Sequence, residues 1–479
     1  MVAIMTKPKT AHNPNFIKLS HGGYSFKRFS GIQKKHWFRE LHPDRVTIPL
    51  CSVSGQSARV SVRAGHFVRA GDIIAQTDLS LIHASITGRV EKIGHICLDG
   101  KQFPCATIRR VHSVRSDKNS LITSDNPERL LYLLGMTEHR YGIMPLHLRD
   151  NTAFCEAIHH IIINAICSQP PWFRLSALWD GHEKKIVGAI KLISSVYKNA
   201  RIHIVVDKSD SLYAQQLSVE AKDNLEINVS CAANTYPISH PNMLIGSLLN
   251  KQFHANDDPS KHGVLVLDPR YFINLIDVMH SAMPQTTVVV AFFGLDDKNR
   301  GFVRVPIGTP LGVLLKHLGV DTSDKHVIDG GLLSGTELTD FNKPVTKRTY
   351  SIAVVAETNH RKFLSFMRPG RTADSYTNCF LSTLSKKERA VDTDMHGGKR
   401  PCISCGHCAQ VCPIDTYPNL LYNFIRHNLM EEAIHLNITR CIDCGLCSYV
   451  CPSKLALSST IKKGQEKIYA EYSALLNIL

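Results

Sequence analysis

The sequence predicts a multidomain chain of α/β and β units that closes on an α-helical, cysteine-rich module. Three observations carry that expectation. A glycine-punctuated run of short β segments occupies residues 46–110, and strands alternate with helices from residue 129 to about 268. One cysteine pattern is then written twice, at Cys402, Cys405, Cys408 and Cys412 before Pro413, and at Cys441, Cys444, Cys447 and Cys451 before Pro452. With 479 residues and a 43% hydrophobic share, the chain has material for three or four cores.

Within the first β run, Val62, Gly65, Val68 and Gly71 are followed by His83-Ala84, Gly88 and Val90. This pattern resembles the barrel-sandwich fold of lipoyl and biotinyl carriers. A carrier displays a modifiable lysine at its hairpin tip, and here the tip is Asp78-Leu79-Ser80-Leu81. The unit, taken as residues 1–128 with its N-terminal segment, is therefore expected to be a structural or docking module.

Residues 129–285 read as a Rossmann-like α/β domain. Ile161-Ile162-Ile163 is a buried strand, Ile186, Ile190, Ile193 and Tyr197 make one helical stripe, and residues 202–206 and 263–267 are further strands. Such sheets bind nucleotides or flavins at the carboxyl ends of their strands, through a glycine-rich turn. Gly135 and Gly142 stand singly, which fits a cap or a turn better than a phosphate cradle.

A β-grasp, SLBB-like unit is expected over 286–358. Its signals are a strand at 287–293, Val305-Pro306-Ile307-Gly308-Thr309-Pro310, a helix at 311–318, Val327-Ile328-Asp329-Gly330-Gly331, and a last strand near 351–355. Ser334-Gly335-Thr336 is similar to a covalent-flavin threonine motif but lacks its alanine, and is set aside. A basic linker, 359–400, leads to the cysteine module at 401–479.

Each cysteine run has the spacing C-x-x-C-x-x-C-x-x-x-C-P, which wraps three thiolates around one iron–sulfur cube and sends the fourth to its neighbour. Cys402, Cys405, Cys408 and Cys451 are assigned to one 4Fe-4S cluster, and Cys441, Cys444, Cys447 and Cys412 to the second. Zinc has no use for a third evenly spaced thiolate or the trailing proline, and a disulfide framework does not suit a long chain without a secretory signal. Between the runs, Pro418 opens a helix carrying Leu420, Leu421, Phe424 and Ile425, and a second helical turn follows at 431–436. The module looks like the all-helical two-cluster ferredoxin of larger electron-transfer subunits. His396, His407 and His427 lie near the cysteines, but with both cubes filled they are expected at the surface or behind the ligands.

Composition limits the partners. The longest apolar run, 287–295, is strand length, short of the roughly 18 residues a membrane span needs. The N-terminal residues lack an apolar signal core, so a reducing cytosolic setting is expected. A net charge of +15 favours an anionic surface. The basic concentrations, 27–35 and 386–400, lack interleaved aromatics, so no nucleic acid is expected and docking to a membrane-embedded complex is preferred. Cys51, Cys97, Cys105, Cys155, Cys167, Cys231 and Cys379 have no ligand spacing and read mostly as small buried residues.

Taken in order, these units resemble the C subunit of the Rnf ion-translocating electron-transport complex, and its relative the A subunit of sodium-translocating NADH:quinone reductase. The most specific residues are the cysteine runs, Cys447-Ser448-Tyr449-Val450-Cys451-Pro452-Ser453, the 305–310 segment, Gly330-Gly331 with Gly335, and Pro344-Val345-Thr346-Lys347. Residues 363–400, with Asp394-Met395-His396-Gly397, look more like the A subunit. The resemblance implies a peripheral subunit on the cytoplasmic side of the inner membrane. It would pass electrons through two 4Fe-4S clusters beside flavin-bearing and membrane-embedded partners of an ion-translocating NADH:quinone or NADH:ferredoxin oxidoreductase.

Two departures bear on FMN and NADH. The Rnf loop G-G-A-G-F-P-T corresponds here to residues 137–145, which lack those glycines, and N-x-x-E-C-E-P becomes Asn164-Ala165-Ile166-Cys167-Ser168-Gln169-Pro170, without either glutamate. FMN is accordingly doubtful and NADH uncertain. Two alternatives stand beside the electron-transfer reading: a flavin-dependent subunit that itself oxidises NADH, and a soluble iron–sulfur scaffold.

Overall fold

The structure is a computed structural model. It describes residues 15–26, 37–53, 55–78, 80–98, 100–111, 122, 124–144, 146, 158–167, 175–179, 181–221, 227–255, 257–294, 300–356 and 399–471. The basic stretches 27–35 and 386–398, the linker to residue 398, His396, Leu79, Pro145, Ser168, Gln169, Pro170, Cys155 and Cys379 lie outside the described residues.

Ile161, Ile162 and Ile163 sit near the centre of a parallel sheet whose strands run in the order Asn15–Ile17, Ile227–Ala232, Arg201–Asp207, His160–Ala165 and Val264–Leu267. Alternation of side chains along a strand divides them between two faces. Ile161 and Ile163 pack with Ile186, Ile190 and Ile193 of the helix Glu183–Val196 and with Phe272 of the helix Pro269–Ser281. Ile162 faces the other way, onto Leu244 and Ile245 of the helix Pro241–Leu249. An unbroken apolar strand is what a sheet covered on both faces requires.

The same logic joins this unit to the next. In the strand Thr287–Phe293, Val288, Val290 and Phe292 pack against Leu311, Leu314 and Leu315 of the helix Leu311–His317, while Val289, Ala291 and Phe293 belong to the α/β core. This strand lies in a mixed sheet ordered Thr336–Glu337, Lys325–Asp329, Ser351–Ala356, Thr287–Phe293, Arg300–Pro306 and Trp37–Glu40.

The sandwich unit has two sheets. Arg45–Pro49, Lys101–Arg110, Gly88–Leu98 and Phe67–Val68 form one, and Arg59–Val60, Ile73–Gln76 and Leu81–His83 the other, around Val46, Ile48, Ile74, Val90 and Ile108. Its sheets begin at Arg45. Two strands of the 1–128 segment are spent elsewhere: Asn15–Ile17 extends the parallel sheet and Trp37–Glu40 edges the mixed one. Both are only three or four residues long, too short for periodicity to reveal.

In the C-terminal module the helices Pro418–Arg426, Met430–His435 and Leu457–Glu471 enclose Leu421, Met430, Ala433, Ile434, Ile461 and Ile468. Pro418 occupies the first turn, where its missing N–H costs nothing. Gly464 lets the last helix close on Ile425, since a Cβ there would lie 2.7 Å from its side chain. Among the described residues no helix is long and apolar enough to cross a membrane.

Candidate functional site

The two cysteine runs fold alike. Ser404 and Gly406 in the first run, and Asp443 and Gly445 at the same places in the second, adopt positive φ, followed by the one-turn helices His407–Gln410 and Leu446–Tyr449. Successive turns of this kind direct backbone N–H groups inward, the arrangement that suits an anionic or sulfide-bearing group.

Four thiols of different sequence origin share one cavity. Cys402, Cys405 and Cys408 line it together with Cys451 from the other run, beside Asn419 and Leu455. Burial raises the Cys408 thiol, with Cys405 and Cys451 adding to the shift. In the second set, burial pushes the Cys441 thiol up to about 12, with Cys412 and Asp443 contributing. Cys444 and Cys447 are raised by burial and by their neighbours, and Cys412 from the first run is among those neighbours in each case. Among the described residues no three His, Cys, Asp or Glu side chains close around a single metal ion. Thiols gathered so closely fit a cationic iron–sulfur core that takes them as thiolates, a demand that apolar burial alone leaves unmet.

The sets differ in setting. Cys402 and Cys405 are exposed, whereas Cys441, Cys444 and Cys447 are partly covered and Cys412 is buried. Residues outside the module supply that cover. His21 Nδ1 lies 2.8 Å from the Cys412 carbonyl oxygen, Gly23 N donates to Val411 O, and the Tyr236 hydroxyl donates to Cys444 O at 2.7 Å. Gly22 is needed there, because a Cβ would lie 2.4 Å from Cys412 O at a φ of +57°. From the last helix, Gln465 Nε2 donates to Ile438 O and Cys441 O, each at 2.8 Å. Sequence reading missed Tyr236, Gln465 and Gly22; only the Gly22-Gly23 pair offered a signal. His427 is exposed and His407 partly exposed, with Nδ1 3.5 Å from Gln410 Oε1.

At the carboxyl ends of the strands His160–Ala165 and Val264–Leu267, where a flavin would settle, the space is filled from within. Asp268, 3% exposed, accepts from Arg140 Nη1 at 3.2 Å and from Arg270 through Nε at 2.6 Å and through Nη2. The Arg140 guanidinium also lies 3.5 Å from the Tyr350 ring centroid, and Arg270 Nη1 donates to Tyr350 O. Burial would raise the Asp268 carboxyl, but Arg270 and then Arg140 outweigh it and hold it at about 2. Beside them His139 and His240 are lowered to about 4, chiefly by burial. Asn164 donates to Ser239 O at 2.8 Å and to the Tyr141 hydroxyl at 3.4 Å. Among the described residues the cavity here measures about 40 Å³. Thr137, Glu138 and His139 bring buried side chains where a phosphate would need bare backbone. Among the described residues, these side chains leave no bare-backbone cradle for a flavin phosphate.

The sandwich tip is docked. Ser80 is fully buried and its hydroxyl donates to Glu138 Oε1 at 3.0 Å. Gly135 is a packing glycine, since a Cβ would lie 3.0 Å from His83 Nδ1. Of the remaining described cysteines, Cys105 and Cys231 are buried, Cys51 and Cys167 partly so, and Cys97 is exposed.

Three family models match this chain. They are the RnfC barrel sandwich hybrid domain over residues 22–111, the Nuo51 FMN-binding domain over 136–275 and a 4Fe-4S dicluster domain over 395–452. The C subunit of the ion-translocating oxidoreductase complex of Buchnera aphidicola subsp. Baizongia pistaciae is 25% identical over 458 residues, covering 89% of this chain and 81% of that protein. The C subunit of the Na(+)-translocating ferredoxin:NAD(+) oxidoreductase complex of Acetobacterium woodii is 23% identical over 450 residues, covering 90% and 92%. Several other matching relatives are longer, and the chain spans between 30% and 51% of their length. A crystal structure of NAD+-reducing [NiFe]-hydrogenase covers 48% of this chain, and this chain 47% of it, with 15% identity and a TM-score of 0.39, a likeness too slight to carry an argument. With barrel-sandwich, FMN-domain-type and dicluster matches in this order, the chain is similar over most of its length to the C subunits of these two ion-translocating complexes.

Proposed function

We propose that this chain is the peripheral electron-transfer subunit of a membrane ion-translocating complex and that its redox work is done at two 4Fe-4S clusters. Cys402, Cys405, Cys408 and Cys451 hold one, and Cys441, Cys444, Cys447 and Cys412 the other. The observation that carries this is the exchange of the fourth cysteine, which brings Cys451 into the cavity of the first run. When bound, such clusters supply single-electron transfer at closely spaced centres.

The chain's own residues set direction and access. Tyr236, His21, Gln465 and Gly22 bury the second set against the body of the protein, while exposed Cys402 and Cys405 place the first set at the surface. The first set is the end that meets a redox partner. The α/β unit, Rossmann-like over 129–285, and the β-grasp, SLBB-like unit over 286–358 serve as scaffold beside the barrel-sandwich portion of residues 1–128. The basic linker is 359–400 and the helical ferredoxin 401–479. Flavin-bearing and membrane-embedded subunits on the cytoplasmic face are the partners, and the +15 net charge favours that docking.

The test is anaerobic reconstitution with iron and sulfide, followed by metal and flavin counts, EPR and a membrane-binding assay. About eight irons per chain, two interacting EPR signals and release from membranes by salt are expected. Stoichiometric flavin together with bleaching of the clusters by NADH without a partner would establish the flavin-dependent reading instead. Recovery only in the soluble fraction at low salt would count against docking.

A further inference from the structure

A larger space lies on the other side of Glu138. It is a cavity of about 480 Å³ at the junction of the sandwich, the α/β unit and the mixed sheet, within the size range of small-molecule sites at domain interfaces. From its walls we infer that it binds a small organic anion with an aromatic or apolar body and one acidic group.

The walls are fixed by contacts between units. Thr47 N donates to Gly308 O at 2.7 Å, and the Ser85 hydroxyl donates to Ile307 O at 2.5 Å. Val53 N donates to Glu138 Oε1 at 3.0 Å, and Lys347 Nζ to Gly135 O at 2.8 Å. Such a junction keeps its shape without a ligand, which lowers the ordering cost of binding.

Charge and polarity select the ligand. Two acids line the space, and each is already matched: Glu138 lies 3.3 Å from Lys347 Nζ, and Asp329 lies 3.0 Å from Lys343 Nζ. Lys101 and Arg348, both exposed at the mouth, have no carboxylate partner among the described residues, so the lining carries two cations in excess. Behind them Ile48, Leu81, Phe103 and Ile307 give an apolar wall. Gln285, 7% exposed, completes the lining. His83, also in the lining, is held neutral at about 3 by burial and then by Lys347, so it adds no third cation. The arrangement places the ligand's acid at Lys101 and Arg348 and its ring on Phe103.

The probe is 8-anilinonaphthalene-1-sulfonate with the full-length, cluster-loaded protein, read by its fluorescence. Saturable one-to-one binding is expected, and Lys101→Glu with Arg348→Glu should weaken it at least about tenfold. The matched reversal Lys191→Glu with Lys198→Glu, at exposed positions that do not line this space, should leave it unchanged. A second measurement needs no variant: uncharged N-phenyl-1-naphthylamine should bind the wild-type chain at least about tenfold more weakly than the sulfonate. Absence of saturable binding, equal loss in both double variants, or equal affinity for the two probes would each overturn the inference.

Discussion

Replacing Asp268 with Asn tests whether the α/β crevice is locked by charge. At 3.2 Å, the Arg140–Asp268 attraction is about 5 kcal/mol at an effective dielectric near 20. The lowering of the Asp268 carboxyl from 3.8 to about 2 corresponds to only ~2 kcal/mol. The two figures differ because the second is net of burying the carboxylate, and it is the better guide to pH dependence. Asn keeps the helix cap, since its amide oxygen can still accept from Arg270 N. It leaves the buried Arg270 guanidinium and the partly buried Arg140 guanidinium without their counter-charge, so the variant should lose ~3 kcal/mol, the lower end for breaking a buried pair. Trp179 is a suitable reporter: it is fully buried and its indole N–H donates to Pro269 O at 3.0 Å, beside the mutated residue. Urea unfolding would be followed by its fluorescence in a background with Trp37→Phe and Trp172→Phe. Because the carboxyl is depressed on folding, its contribution is complete above the unfolded value of 3.8 and fades as pH falls through about 2. The gap between wild type and variant should narrow in that window. A loss below ~1 kcal/mol at pH 7 would refute the lock.

Three further outcomes follow from the same geometry. Cys451→Ser should remove the same EPR signal as Cys405→Ser, and Cys412→Ser the same signal as Cys444→Ser, each with about half the iron lost; Cys451 pairing with Cys444 would contradict the exchange. His139 and His240 are lowered to about 4, so each is uncharged when folded, and protonating the unfolded chain costs stability as pH drops from 6.5 towards 4, by up to about 3 kcal/mol per residue. A thermal midpoint that stays level across that interval would count against their burial. Gly22→Ala forces a Cβ to 2.4 Å from Cys412 O, so it should loosen the cover of the second cysteine set by about 1–3 kcal/mol, seen as faster chelator-driven loss of that cluster alone.

Legibility followed the reach of the underlying interactions. The doubled cysteine spacing encodes its grouping locally, and Cys451 lines one cavity with the first run, as the exchange expected from the spacing would require. Strands buried on both faces, such as His160–Ala165 and Thr287–Phe293, announce themselves as apolar runs. The crevice was half readable: residues 137–145 visibly lack the glycines of a phosphate cradle, but nothing local told that Arg140, the Asp268–Arg270 pair and Tyr350, far apart in the chain, meet there. Tyr236 and Gln465 were invisible for the same reason, acting on the cysteine segments through long-range hydrogen bonds, one from Tyr236 and two from Gln465. The absent lysine at the sandwich tip argues against a carrier, but only the structure shows Ser80 of that tip bonded to Glu138.

The segment that begins at Asn15 has a further consequence, in the order of synthesis. Its first strand pairs with Ile227–Ala232, His21 lies against Cys412, 391 residues away, and Trp37–Glu40 pairs with Arg300–Pro306. Residues 15–40 thus complete their contacts only after residue 412 has left the ribosome. Until then His21 waits without its partner, and closing so long a loop is slow. Maturation of the second cysteine set is therefore tied to residues 21–23, so a ribosome stalled before residue 412 leaves that contact unfinished.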